Sequence, residues 1–209
     1  MGISPKKTLQ GFSVATLALV ITACGGGSDD STPATTTPTT PSFKLTSTAF
    51  VEGGKIPLES ACVSNPSVPA TVGQNRSVPL AWSEVPVNTS KYAVIMDDET
   101  APHCPTGDSA CKHWAVYNIP SSMTTFTTGQ KVTDISGVTE GKVYDDTTGY
   151  AGMCPPSKHT YKITAYALKD TMPDITSGTP LTRSQFKTQY SSYILGEATL
   201  SGTFDPTAP

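Results

Sequence analysis

The 209 residues carry 14 Lys and Arg against 17 Asp and Glu, and loss of a 23-residue leader would take Lys6 and Lys7 with it, leaving 12 − 17, or −5. That balance offers no basic face for a phosphate backbone and excludes nucleic acid as a partner. With 15% of residues charged, 18 Pro, 17 Gly and 33 Thr, the composition suits strands and turns and excludes a helical bundle or coiled coil.

Residues 1–23 read as an export signal: Lys6 and Lys7 precede an apolar run from Phe12 to Ile21, which ends at Thr22-Ala23-Cys24. The run is shorter than the roughly 20 apolar residues needed to span a bilayer core. Val20-Ile21-Thr22-Ala23-Cys24 resembles a bacterial lipobox, which implies lipidation of Cys24 and a membrane anchor through that lipid. By the same resemblance to lipoproteins, the lack of Asp directly after Cys24 favours the periplasmic face of the outer membrane. Residues 24–42 form a spacer: Gly25 to Ser42 holds no aromatic and no large aliphatic residue, so it cannot bury enough apolar surface to fold.

A domain is expected over 43–205, followed by a short tail at 206–209. Short apolar or alternating runs punctuated by Gly, Pro, Asn and Asp make it dominated by β-structure. The expected strands are Phe43 to Phe50, Val78 to Trp82, Tyr92 to Asp97, Trp114 to Ile119, Thr160 to Leu168 and Ala198 to Phe204. Tyr92-Ala93-Val94-Ile95-Met96 is apolar without alternation, as for a central strand covered on both faces. One C-terminal helix is expected to cover the sheet. Thr182 and Gln185 form a capping box, Phe186, Tyr190, Tyr193 and Ile194 follow at helical spacing, and Gly196 is the expected stop.

Without Cys24, four cysteines remain in an exported chain, and an even number in an oxidising compartment implies two disulfides among three possible connectivities. Cys104 and Cys111 flank a Pro-Thr-Gly-Asp turn, so the expected pairs are Cys104–Cys111 and Cys62–Cys154. His103, Cys104, Cys111 and His113 are zinc-type ligands, but their spacing is not the usual paired arrangement, and neither a metal nor a cofactor is expected.

Three segments concentrate groups that can do chemistry: Asp97 to Pro102, Lys112 to Pro120, and Gly149 to Pro156 leading into His159 and Tyr161. His159 and Tyr161 stand two apart, so a strand places both on one face. An imidazole and a phenol projecting together beside the N–H groups of a Gly/Pro turn can donate to one small anion.

The order and spacing of these segments resemble the phosphatidylethanolamine-binding protein family, in its bacterial YbhB/YbcL, Raf-kinase-inhibitor-like branch. Gly73 to Trp82 with Val85-Pro86, and Ile194-Leu195-Gly196-Glu197-Ala198 with Leu200, Gly202 and Phe204, extend the likeness over nearly the whole domain. The resemblance implies a β-sandwich with a small pocket for phosphate, acetate or a phospholipid headgroup. It assigns Asp98 and Pro102 to an acidic-Pro loop, His113 to the histidine before Trp, Tyr150, Gly152, Pro155 and Pro156 to a Gly/Pro wall, and His159 and Tyr161 to the closing His-x-Tyr. Glu99, Thr100 and Met153 depart from the family pattern at the rim.

The expected function is therefore a non-catalytic, lipid-anchored binding module for a small anion or phosphorylated headgroup. A second reading, from relatives that regulate kinases or inhibit proteases, is an inhibitor of a cell-envelope protein. A hydrolase is the weakest, because His113, His159 and Asp98 are present but no Gly-x-Ser-x-Gly elbow accompanies them.

Overall fold

Unbroken apolar runs in the long strands dictate two buried faces, and the computed structural model, which describes residues 42–70 and 72–209, shows a core on each. The export signal, Cys24 and the spacer up to Pro41 lie outside the described residues. In chain order the elements are β1 (Lys44–Thr46), β2 (Gly54–Lys55), β3 (Leu80–Ser83), β4 (Lys91–Asp98), β5 (Cys111–Pro120), β6 (Thr125–Phe126), β7 (Thr139–Glu140), β8 (His159–Leu168), α1 (Arg183–Tyr190) and β9 (Ile194–Phe204).

A six-stranded sheet runs β2-β9-β8-β4-β5-β7, and a small sheet runs β1-β3-β6. Between them lies the larger core, which takes Tyr92, Val94 and Met96 from β4, Trp114 and Val116 from β5, and Ile163 and Ala165 from β8. Ala93 and Ile95 point the other way, into a second core with Tyr117, Tyr166 and Phe186. β4 is thus covered on both faces, as its unbroken apolar run requires. No helix among the described residues is long and apolar enough to cross a membrane.

Two expected strands shorten for local reasons, whereas the strands expected from Trp114 and Ala198 begin earlier, at Cys111 and Ile194. Phe43 to Phe50 shortens to β1 because the Ser47 hydroxyl donates to Pro79 O at 2.7 Å and accepts the Ala49 N–H at 3.1 Å. These side-chain bonds turn the chain out of the ladder. The strand expected from Val78 begins at Leu80 instead, after Pro79, which has no N–H to give a ladder.

The expected capping box is present: Thr182 Oγ1 accepts the Gln185 N–H at 3.1 Å, and Gln185 Oε1 accepts the Thr182 N–H at 3.0 Å. Phe186 is fully buried and packs on Tyr166, with ring centroids 4.7 Å apart. Gly196 does not stop the helix. α1 ends at Tyr190, a 3-10 turn from Ser191 to Tyr193 follows, and Gly196 lies within β9, where a Cβ would come 2.8 Å from Pro86 Cγ. Its lack of a side chain serves close packing. Thr182→Ala removes the hydroxyl that accepts the Gln185 N–H, leaving the backbone half of the box in place, and at this buried position is expected to cost about 1 kcal/mol, read as a lower urea midpoint with unchanged slope.

Candidate functional site

Three adjacent strands place their ends at one pole of the large sheet. β4 finishes at Asp98, which pairs with Tyr161 near the start of β8 on one side and with Cys111 at the start of β5 on the other. Alternation sends Asp97 and Asp98 to opposite faces. Asp97 faces α1, where its Oδ2 accepts the Arg183 N–H at 2.7 Å. Asp98 faces the side of the larger core, and so do His159 and Tyr161, in phase with Ile163 and Ala165.

His113 reaches the same side through a bulge. Met96 pairs with Trp114 and Asp97 with Lys112, so His113 is the extra residue of β5 at this point. Strict alternation from Trp114 would have sent it toward α1; the bulge re-aims it.

These side chains line one cavity of about 480 Å³, together with His103, Tyr144, Ser64, Pro66, Pro155, Pro156 and all four disulfide cysteines. The pairs are Cys62–Cys154 and Cys104–Cys111, with Cα atoms 5.6 Å and 5.2 Å apart. Asp98, Cys104 and His159 hold their ligand-type atoms within 4.8 Å of one another. The Cys104 sulfur is committed to its disulfide, so the cluster has no thiolate to give a cation.

Asp98 organises the floor. Its Oδ2 accepts from Nδ1 of His159 at 2.5 Å, its Oδ1 accepts the Thr100 N–H at 2.9 Å, and the Tyr161 hydroxyl also pairs with this carboxyl. Asp98 and Tyr161 are each 1% exposed. Burial, reinforced by the Asp98 charge, pushes the Tyr161 phenol far above its ordinary range. His113 is equally enclosed, and Nδ1 donates to Ala151 O at 2.8 Å. Burial holds its imidazole below the ordinary histidine value against the opposing pull of that bond, favouring the neutral ring.

The expected site residues divide into two groups. Asp98, His113, Pro155, Pro156, His159 and Tyr161 line the cavity. Pro102, Tyr150 and Gly152 do not. Pro102 is exposed beyond the rim, after a cis peptide bond from Ala101. Tyr150 donates its hydroxyl to Ser60 O at 2.9 Å and stands edge-on to Trp114. Gly152 donates its N–H to Asn75 Oδ1 at 2.6 Å, and a Cβ there would lie 2.6 Å from Cys62 N. Tyr150 and Gly152 therefore buttress the wall from behind. The Tyr161 phenol lies beside the Asp98 carboxyl, on the same face as His159.

Among the cavity residues with no sequence assignment to an anion site, two are aromatic, His103 and Tyr144. His103 stacks over His159 with ring centroids 5.7 Å apart, and Tyr144 meets His113 at 5.1 Å. His103 stands immediately before Cys104, so closure of the short disulfide loop could have placed it. Tyr144 is held by its N–H to Lys112 O at 2.9 Å, a contact across 32 residues with no local signature.

The departures from the family pattern are built into the loop. Glu99 accepts from Arg183 at 2.7 Å and from Lys162 at 3.1 Å, on the face away from the cavity. Thr100 Oγ1 accepts the Thr160 N–H at 2.9 Å, fastening the loop to β8. Met153 is fully buried.

Residues 46–205 match the family described as phosphatidylethanolamine-binding protein. A UPF0098 protein of Methanothermobacter thermautotrophicus is 34% identical over 167 residues, covering 78% of this chain and 98% of that protein. LppC of Mycobacterium tuberculosis, named as a candidate lipoprotein, is 29% identical over 212 residues, covering 93% of this chain and 95% of LppC. The crystal structure of CT736 from Chlamydia trachomatis superposes with a TM-score of 0.63 at 28% identity, covering 79% of this chain and 98% of that one. The chain belongs to the phosphatidylethanolamine-binding protein family.

Proposed function

We propose that this is an exported, lipid-anchored binding protein that holds a small anion or phosphorylated headgroup without turning it over. The observation that carries the reading is convergence: Asp98, His113, His159 and Tyr161 come from three strands and line one cavity. Asp98 is engaged by His159 and the Thr100 N–H, so its role in this reading is to position His159. Among the described residues the ring nitrogens of His113 and His159 that make hydrogen bonds pair with Ala151 O and Asp98, not with a hydroxyl or thiol, which favours binding over hydrolysis. Export and anchoring at Cys24 draw support from the lipobox-like sequence and from LppC, which aligns over nearly the whole chain.

Phosphate at a hundredfold its Kd should add about 2.7 kcal/mol to folding by mass action, a rise of several degrees in Tm. His159→Ala is expected to abolish that rise by differential scanning fluorimetry. An undiminished rise in the variant would remove the cavity as the binding site.

A further inference from the structure

We propose, independently of the anion-binding reading, that Asp98, Cys104 and His159 form a zinc site which the Cys104–Cys111 disulfide keeps closed and which its reduction opens. Asp98 comes from the end of β4, Cys104 from the loop before β5 and His159 from the start of β8. A carboxylate oxygen, the sulfur and a ring nitrogen of these residues lie within 4.8 Å of one another, and the residues are 1%, 6% and 2% exposed. Carboxylate, thiolate and imidazole are the ligand types of zinc, and three protein ligands leave a fourth position for water or another small ligand. The sulfur is what the oxidised protein lacks. It is bonded to Cys111, and only a thiolate ligates a metal. Once freed, the thiolate and the Asp98 carboxylate sum to a charge of −2 among buried groups, which a divalent cation cancels. Sulfur and nitrogen ligands select Zn²⁺ over the harder Mg²⁺ and Ca²⁺.

Reduction frees the sulfur without displacing it. The Cys104 N–H donates to Thr100 O at 3.0 Å, the Thr100 N–H donates to Asp98 Oδ1 at 2.9 Å, and Thr100 Oγ1 accepts the Thr160 N–H at 2.9 Å. Cys104 therefore hangs from a turn that hydrogen bonds tie to β4 and β8. Cys111 is held separately, by its pairing with Asp98 in the sheet. The short disulfide is also the easier of the two to open: its cysteines are 7 residues apart against 92 for Cys62–Cys154, so folding holds it less firmly. Cys111 is half-buried and Cys104 buried, so the thiolate of an incoming dithiol meets Cys111 Sγ first. That attack forms a mixed disulfide with Cys111 and expels Cys104 as a thiolate. The second thiol of the reductant then attacks its own sulfur in the mixed disulfide, closes the reductant's disulfide and releases Cys111 as a thiolate. Two electrons pass to the protein, the two protons of the dithiol go to the two thiolates, and Zn²⁺ displaces the one on Cys104 into solvent as it binds.

The test is anaerobic titration of the full chain with Zn²⁺ against a chromophoric chelator. Cys111→Ser frees Cys104 with no reductant present and leaves Cys62–Cys154 closed, and it is expected to bind one Zn²⁺ roughly a hundredfold more tightly than the oxidised parent. Cys104→Ser breaks the same disulfide but removes the ligand, and it should bind no more tightly than the oxidised parent. Co²⁺ in place of Zn²⁺ should give a thiolate-to-metal charge-transfer band in Cys111→Ser and not in Cys104→Ser. Adding Asp98→Asn or His159→Ala to Cys111→Ser should weaken binding by about tenfold or more. The parent, reduced with a phosphine until alkylation and mass spectrometry show Cys104 and Cys111 free and Cys62–Cys154 still closed, should take up one Zn²⁺ per chain. Equal affinities in Cys111→Ser and Cys104→Ser, both with native circular dichroism, overturn the assignment to Cys104. Equal affinities in the oxidised and reduced parent overturn the gate. Should Cys111→Ser lack native circular dichroism, the reduced parent decides alone, and no uptake of zinc on reduction overturns the site.

Discussion

Replacing Cys62 and Cys154 together by serine is expected to lower the unfolding free energy by roughly 4 to 5 kcal/mol, on the chain-entropy model for a loop of this length. The two cysteines are 92 residues apart in sequence, so the bond closes the longer of the two disulfide loops. Replacing Cys104 and Cys111, 7 residues apart, should cost only about 2 to 3 kcal/mol on the same model. Urea denaturation of both double variants gives the comparison directly, and equal midpoints would refute the loop-length argument. The functional order should be the reverse where His103 matters, because the short loop is what carries His103 onto His159. The long-range disulfide joins the Ala61–Cys62 segment to the turn after Gly152, where the backbones already touch: Cys62 N–H donates to Met153 O at 3.1 Å. That contact survives the substitution and supports the wall, so phosphate binding should weaken less than stability does.

Much of this architecture was legible because it rests on local rules. The unbroken apolar run from Tyr92 to Met96 announced a strand buried on both faces, and Thr182 with Gln185 announced a helix start. The pairing of His159 with Tyr161 on one face followed from strand alternation alone. What the sequence hid depends on contacts between distant segments. The bulge at His113 exists because β4 and β5 slip register beyond Met96, and no residue type marks the slip. Tyr150 and Gly152 stand where family likeness assigns a ligand wall, yet their partners, Ser60 and Asn75, lie more than seventy residues away and draw them behind it. Asp97 and Asp98 illustrate both cases. Their opposite orientations are implied by the strand, but only the placement of α1 shows what Asp97 faces.

Asp97 provides the second large effect, a stability that falls as pH rises. Its side chain is fully buried where the sheet meets α1; Oδ2 accepts the Arg183 N–H at 2.7 Å and lies 3.5 Å from Arg183 Nε, and Oδ1 has no partner among the described residues. Burial pushes the carboxyl up to about 7, although the Arg183 N–H, the Arg183 charge and Lys112 pull it down, and nearby Glu99 adds to the rise. In the unfolded chain the group titrates near 3.9. The folded state therefore binds this proton more tightly, so the stabilisation is fully present below about pH 4 and is lost as pH climbs through 7. A gap of about 3 pK units corresponds to at most roughly 4 kcal/mol across that window. Asp97→Asn cannot ionise and keeps an oxygen to accept the Arg183 N–H, so its unfolding free energy should lack this downward slope. At pH 8 the variant is expected to be more stable than the parent by roughly 2 to 4 kcal/mol, less the cost of leaving an amide unpaired where Oδ1 now stands. At pH 4.5 it should be equal or weaker. Denaturant titrations of both proteins from pH 4.5 to 8 decide the matter: parallel curves would show that Asp97 stays ionised throughout, held by Arg183. The same arginine reaches Glu99 at 2.7 Å, next to Asp98, so the charge on Asp97 also bears on how firmly the loop beneath the cavity is gripped from the helix side.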